Sequence, residues 1–256
     1  MQSQTAPLDM ASDANELLQR QLQQLQHSHE GFMRAVSHDL RAPLRHLTSF
    51  APLLRESVEA LAQQSHGSEA AQEALEFLGT MEQSARKMGL MLDGMLMLSR
   101  AARQPLNLQA VDVCQVIRSC SQRTLARLPV EQWLLPHEGA RLQADPVALH
   151  SVVQVLLDNA VKFSARHPQP QVQVAVMPIS QQGWRVAITD NGVGFDTTRM
   201  STAWPPFQRM HRDADFEGIG CGLAHAHILL QRHGARLQLV SSPGAGCTAS
   251  FDWPAA

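Results

Sequence analysis

The sequence predicts two domains of different class: an all-α antiparallel helical hairpin over residues 14–104, pairing with a second copy into a dimeric four-helix bundle, then a mixed α/β domain over residues 105–256. Three observations predict this. Apolar residues recur at alternating three- and four-residue spacing from Leu18 to Leu61, and again at heptad spacing from Leu78 to Ser99, the period of helices with a coiled-coil-like seam. A short polar break, Ser65-His66-Gly67-Ser68, separates the two runs. After Gln104-Pro105 the texture changes to short β-rich runs between helical ones.

Residues 1–13, polar and carrying Pro7, read as a flexible lead-in. The first helix then carries Leu18, Leu22, Leu25, Phe32, Val36, Pro43, Leu47, Phe50, Leu54 and Leu61 on one seam, while its Gln-rich stretch from Gln19 to Gln26 supplies no core of its own. Gly67 suits a left-handed cap, and Ser68 can N-cap the second helix. That helix runs from about Glu69 to Ala102 with Leu78, Met81, Ala85, Met88, Leu92, Met95 and Ser99 in its seam. Two long helices joined by a short turn lie antiparallel. A lone hairpin leaves much of this apolar surface wet, so pairing two copies is the economical arrangement and predicts a homodimer.

In the second domain, Asp112 is placed to cap a helix with Val113, Val116, Ile117, Cys120, Thr124 and Leu128 on one stripe. Asp145-Pro146 is an N-cap and N1 pair for a helix ending near Phe163. Strands are predicted at 172–176, 184–189, 236–240 and 248–253. A helix introduced by glycines at 218, 220 and 222 carries Leu223, Ile228 and Leu230 and ends near His233-Gly234. The glycine- and proline-punctuated stretch from Asp190 to Gly220 is too long for an ordinary connection and reads as functional.

Composition narrows the function. At 256 residues with 44 % hydrophobic content the chain can bury a real core, and a formal charge of −2 supplies no global reason to bind nucleic acid or an anionic membrane. The four cysteines, Cys114, Cys120, Cys221 and Cys247, form no C-x-x-C pair and lack zinc-type spacing, which favours a reduced, cytoplasmic compartment. No run approaches the roughly 20 apolar residues of a membrane span, and no signal-peptide pattern opens the chain. No sensory input module is visible, so such a module is expected to be missing or separate.

Two sets of residues carry chemistry. His38 lies two positions beyond Val36, which turns it about 200° from the seam and toward solvent. An adjacent carboxylate, Asp39, can hold one ring nitrogen and leave the other free to attack phosphorus. Pro43 removes a backbone hydrogen bond just beyond and is expected to bend or loosen the helix. A histidine without this setting, such as His46, reads as an ordinary surface or bundle residue. Later come Asp158-Asn159-Ala160-Val161-Lys162-Phe163, Asp190-Asn191-Gly192-Val193-Gly194-Phe195 and Gly218-Ile219-Gly220-Cys221-Gly222-Leu223-Ala224. An amide oxygen at Asn159 can ligate Mg²⁺ and the ammonium of Lys162 can neutralise phosphate. A carboxylate in an apolar slot, Asp190, can accept the amino hydrogen of a base, and glycines at a helix start expose backbone N–H groups to phosphate. The glycine run is not preceded and followed by the strand and ribose carboxylate that a Rossmann fold requires.

In their order and spacing, the octapeptide Ser37-His38-Asp39-Leu40-Arg41-Ala42-Pro43-Leu44 and these three segments resemble the H, N, G1 and G2 boxes of sensor histidine kinases, over residues 30 to 254. Phe207-Gln208-Arg209-Met210 resembles the F-box and Ser242–Thr248 the last glycine box, and the run from Phe207 through Ala224 is similar to phytochrome-linked and cyanobacterial kinases. The resemblance implies that the second domain is the α/β sandwich of the GHKL ATP-binding type, shared with Hsp90-type chaperones, DNA gyrase and MutL. It implies that His38 accepts phosphate beside an acidic Asp39, that Asn159 holds Mg²⁺ and Lys162 phosphate, and that Phe163 packs near adenine, with plain core as the close alternative for that ring. Asp190, with Gly192 and Gly194, would recognise adenine. Gly218, Gly220 and Gly222, leading into Leu223, would serve the phosphates; Arg209 would reach the γ-phosphate; Thr248 would lie near the adenine. The implied cofactors are ATP and Mg²⁺, and the implied partner is a response-regulator receiver domain whose aspartate takes the phosphoryl group.

Two positions depart from that pattern. Ala42 stands where many members carry Thr or Asn to position water for dephosphorylating the regulator, and Val155 stands where another Asn commonly precedes the metal ligand. These departures define the alternative, a dimeric nucleotide-binding scaffold or weak kinase that docks a regulator.

Overall fold

A computed structural model of the chain describes residues 6–64, 69–124, 133–134, 140–179, 183–199, 204–211 and 215–254. The chain divides into two compact units, Met1–Ser99 and Arg100–Ala256.

The first unit is built from α1 (Ala6–Gln64) and most of α2 (Glu69–Arg103). Helix α1 starts at Ala6, inside the stretch expected to be a flexible lead-in. The physical reason is that Pro7 stands in the first turn, where its missing N–H would have had no intrahelical acceptor. The helix also runs unbroken through Pro43 and Pro52, so the expected loosening at Pro43 does not interrupt it. Arg41 Nη2 donates to Asp93 Oδ1 (3.1 Å), and Arg55 makes a two-pronged contact with Glu82 (3.4 and 3.2 Å), linking the two helices.

The predicted seam splits into two sets. Leu78, Ala85 and Leu92 are buried, at 5 %, 2 % and 8 % exposure, whereas Leu47, Phe50, Leu54, Met81 and Met88 remain 44–63 % exposed. One partner helix covers only the side of the stripe that faces it, so from Leu78 to Leu92 buried and exposed seam positions alternate along α2, while Met95 and Ser99 are half-buried. The side chains of Leu18, Leu22, Leu25 and Phe32, and the turn at 65–68, lie outside the described residues.

The second unit is the α/β sandwich that the sequence resemblance implied. Its elements are β1 (Gln109–Asp112), α3 (Val113–Thr124), β2 (Trp133–Leu134), β3 (Arg141–Ala144), α4 (Pro146–Ser164), β4 (Val172–Ile179), β5 (Gly183–Asp190), α5 (Gly222–Arg232), β6 (Arg236–Ser241) and β7 (Cys247–Trp253). A five-stranded sheet has the order β2-β4-β5-β7-β6, antiparallel except for the β2-β4 pair, and β1 pairs antiparallel with β3 in a separate ribbon. The helices cover one face of the large sheet, where Val153, Leu156, Ile188, Leu230, Phe251 and Trp253 form the core. Strands β1, β2 and β3 were not expected from the sequence.

Both predicted caps form. Asp112 Oδ1 accepts from Cys114 N (2.8 Å) and Gln115 N (3.2 Å). Asp145 Oδ1 accepts from Val147 N and Ala148 N, while its other oxygen accepts from Asn107 N (2.9 Å). These bonds satisfy N–H groups that a helix start leaves open, and they hold the Asp145 carboxyl below its ordinary value against the opposing effect of burial. The helix stripe ends at Thr124; Leu128 lies outside the described residues.

The division between units falls before the expected boundary at Gln104-Pro105. The last turn of α2 belongs to the second core: Ala101 is 6 % exposed there, and its carbonyl accepts from Arg232 Nη1 (2.9 Å). Among the described residues no helix is long and apolar enough to cross a membrane.

Candidate functional site: an exposed histidine and an apolar pocket

In the first unit Ser37 is buried at 1 % exposure. The next residue on a helix is rotated by about 100°, which carries His38 outward. Its side chain is 86 % exposed, and its Nδ1 lies 3.2 Å from Asp39 Oδ1. In the tautomer in which Nδ1 carries the proton and donates to Asp39, Nε2 keeps its lone pair, the state a nitrogen nucleophile needs. His46 packs edge-on against Phe50 at 6.2 Å, with no carboxylate in that contact.

In the second unit a mostly apolar pocket, open to solvent, lies between α4, the sheet and the segment before α5. Strand parity fixes its floor. Ile188 and Asp190 of β5 and Cys247 and Ala249 of β7 point inward because side chains alternate faces along a strand. Helix α4 contributes Leu156, Asn159, Ala160 and Phe163, spaced by three and four and therefore on one face. Leu223, Leu239, Gly194, Phe195 and His211 complete the lining.

Asp190 is the buried carboxyl at this floor, 7 % exposed. Burial pushes it up to about 6, partly opposed by hydrogen bonds from the backbone at Gly192 and Cys247; its Oδ1 accepts from Gly192 N at 2.9 Å. The glycine at 194 is required on two counts: φ is +56°, and a Cβ would stand 2.0 Å from the Ser242 carbonyl oxygen. The glycine at 192 is required by close approach alone, since a Cβ would meet Phe163 O at 2.3 Å.

Lys162 stands beside the cavity rather than in its lining. Its Nζ donates to the Glu217 carbonyl (3.3 Å) and sits 4.4 Å over the Phe163 ring; burial, and then the charge of Arg209, lower it from the ordinary lysine value. Arg209 donates to the Phe216 carbonyl and lines a wider, more polar groove with Val193, Asp196 and Gln208. Gly218 lies near Lys162, 3.8 Å from its Nζ to a built Cβ. Gly220 accepts from Phe207 N at 3.1 Å, and Gly222 opens α5. A Cβ on Gly222 would touch Val155 Cγ1 at 3.2 Å, so Val155 serves here as packing for the start of α5.

One expected site residue is displaced. Thr248 does not line the cavity; it lies on the opposite face of β7, with its Oγ1 3.0 Å from Thr189 Oγ1. Cys247 takes the inward position, its thiol pushed up to about 12 by burial and by the charge of Asp190. The alternation of β7 could have assigned this residue, because Phe251 and Trp253 mark the inward parity. Phe195 closes the Asp190–Phe195 segment but was given no role in the lining, and His211 was missed, since no short sequence pattern announces it. His211 packs on Phe163 (5.1 Å) and Phe216 (5.2 Å), and burial lowers its proton affinity against the opposing charge of Asp215.

For a metal, the donor set is informative. Among the described residues no group of three or more His, Cys, Asp or Glu side chains could hold an ion. Asn159 offers a hard amide oxygen on the cavity wall. A Mg²⁺ ion, which keeps waters and takes most of its other ligands from phosphate oxygens, fits such a sparse protein contribution.

Residues 144–256 match the family of histidine kinase-, DNA gyrase B- and HSP90-like ATPases, and residues 28–104 match the His Kinase A (phospho-acceptor) domain. The methanogenesis regulatory histidine kinase FilI of Methanothrix harundinacea is 27 % identical over 88 % of this chain and 24 % of its own length. The phytochrome-like protein Cph1 of Synechocystis is 28 % identical over 87 % of the chain and 29 % of its own length. The adaptive-response sensory kinase SasA of Synechococcus elongatus is 28 % identical over 88 % and 59 %, respectively. The chain thus spans less than two thirds of these relatives. Among solved structures, full-length ShkA in complex with AMPPNP is similar with a TM-score of 0.57 at 20 % identity, covering 87 % of this chain and 45 % of ShkA. The Acinetobacter baumannii histidine kinase AdeS gives 0.51 at 19 %, covering 85 % and 97 %. At such identities these likenesses establish the fold.

Proposed function

Because the chain belongs to the sensor histidine kinases, carrying a phospho-acceptor domain followed by a GHKL-type ATPase domain, we propose that it transfers the γ-phosphoryl group of ATP to His38 and then to an aspartate of a response-regulator receiver domain. The observation that carries this reading is the pairing, in one chain, of a solvent-facing imidazole held at one nitrogen by Asp39 with an apolar cavity floored by the buried Asp190.

In this reading the adenine enters the cavity and its amino group donates to the ionised Asp190 carboxylate. Water is kept from the base by the apolar lining, which strengthens that bond. Lys162 and Arg209 neutralise phosphate charge, and Asn159 would hold Mg²⁺, which would supply further charge neutralisation at the phosphates. The lone pair of His38 Nε2 attacks the γ-phosphorus; the bond to the β,γ-bridging oxygen breaks, and ADP leaves with its electron pair. Asp39 stabilises the proton retained on Nδ1 of the resulting imidazolium. The N–P bond then breaks as a carboxylate oxygen of the regulator bonds to phosphorus, and the neutral imidazole is restored. The exposed apolar stripe of Leu47, Phe50, Leu54, Met81 and Met88 supports pairing of two hairpins into a bundle.

The test is incubation with γ-labelled ATP and Mg²⁺. The wild type is expected to acquire acid-labile label that His38→Gln and Asn159→Ala do not. A folded wild type that binds nucleotide but acquires no label would favour the scaffold reading instead.

A further inference from the structure

We infer that Arg166 is a positioning residue for the nucleotide base, holding the aromatic wall of the cavity in place through Phe216. The inference rests on reading the cavity as an adenine site.

Arg166 follows the end of α4, one turn beyond Lys162. Its guanidinium grips one residue twice, Nη1 donating to Asp215 Oδ1 (3.1 Å) and Nη2 to the Asp215 carbonyl (2.5 Å). The same group lies 4.7 Å over the ring of the next residue, Phe216. Phe216 is 9 % exposed and is covered on its inner side by Phe163, ring centres 5.0 Å apart, and His211, 5.2 Å apart. Phe163 and His211 both line the cavity. A line of contact therefore runs from Arg166 through Phe216 to the surface a base would meet.

Three cations converge on three successive carbonyls here: Arg166 on Asp215, Arg209 on Phe216 and Lys162 on Glu217. Two of the three have a better acceptor when a nucleotide is present. Phosphate oxygens make charge-assisted bonds to Lys162 and Arg209 that neutral carbonyls do not match. Arg166 differs, because its acceptors include the Asp215 carboxylate and its flat face is engaged by Phe216. It stays in place while the other two turn to phosphate, and it alone of the three then ties residues 215 and 216 to the end of α4. An exposed ion pair by itself contributes little. A planar fork bound to both side chain and main chain, with its face on a ring, fixes a segment rather than a pair.

The experiment is calorimetric binding of Mg·ADP and Mg·AMPPNP to the chain and its variants. Arg166→Ala is expected to weaken both nucleotides by the same factor, about tenfold, and Arg166→Lys to recover less than half of that loss in logarithmic terms, because an ammonium lacks the planar fork. In a Phe216→Leu background, Arg166→Ala is expected to add almost nothing. A loss confined to AMPPNP would make Arg166 a γ-phosphate ligand and overturn the inference; so would additive losses in the double variant, or unchanged affinity in Arg166→Ala. A wild type that binds neither nucleotide would overturn the adenine reading and this inference together, which separates the two failures.

Discussion

The hairpin and the α/β unit keep their reactive groups in opposite surroundings. His38 is 86 % exposed and held by its chain neighbour Asp39, whereas Asp190 is 7 % exposed and is set by a β-strand, a glycine turn and the strand beside it. A nucleophile that has to meet an incoming phosphorus needs open space around it. A group that reads one edge of a base needs water removed, because only then does a missing hydrogen bond carry its full penalty. The difference teaches that a reactive group on a solvent-facing helix can be specified by a few adjacent residues, while a recognising group draws on elements far apart in sequence.

The sharpest way to break this comparison is to disable each half separately. His38→Gln should abolish phosphorylation while leaving nucleotide affinity within about twofold, since the exchange is confined to an exposed side chain. Asp190→Ala should do the reverse at its origin, weakening nucleotide binding by about a hundredfold or more through loss of a charged acceptor in an apolar cavity. If Asp190→Ala bound nucleotide normally, the cavity would not be the base site.

A second test bears on the hairpin alone. Met88→Glu places a charge in the exposed stripe beside Leu47, Ala51 and Met81. Sedimentation should show the wild type as a dimer and the variant shifted to monomer, with nucleotide binding by the second unit retained.

Asp190 also predicts two pH responses of opposite sign. Its folded-state value, about 6, lies above the ordinary 3.8. The nucleotide-free folded unit therefore holds the proton more tightly than the unfolded chain does. Stability from this group is fully present below about pH 4 and is lost as pH rises through about 6, by about 3 kcal/mol at most. Nucleotide affinity should run the other way, falling as pH drops below about 6 and the carboxylate is neutralised. Melting of Asp190→Asn across this range, compared with wild type, isolates the first effect; binding titrations isolate the second.

The smallest expected effects sharpen the account of strand parity. Thr248→Val should change nucleotide affinity by less than about twofold, while the inward Cys247→Val should change it about fivefold by altering the cavity floor. Equal effects at the two positions would mean that β7 presents a different face to the nucleotide.

Strand parity also shows what could be read in the sequence and what could not. The long helices, the Asp112 and Asp145 caps and strands β4 to β7 follow from local periodicity and chemistry, and the segments carrying His38, Asn159 and Asp190 carry their own local markers. Thr248 was misplaced because a motif names neighbours, whereas a strand sends adjacent side chains to opposite faces. The strands β1 and β3 are only four residues each and owe their form to pairing with one another, which no single segment reveals. His211 and Phe216 reach the cavity region by tertiary contact with Phe163. Seam residues such as Met81 and Met88 were correctly placed on an apolar stripe, but the period of a helix does not say which half of the stripe its nearest neighbour will cover.

The isolation of His38 has a temporal consequence. A phosphoryl group on Nε2 would stand in open water, with Asp39 at the other nitrogen and, one turn along the same helical face, the methyl group of Ala42. Neither group shields the bond, and the methyl cannot aim a water at it. On the proposed reading, this turn supplies no polar side chain to aim a water, so the persistence of the mark would depend on the medium's own hydrolysis rate and on how soon a recipient arrives.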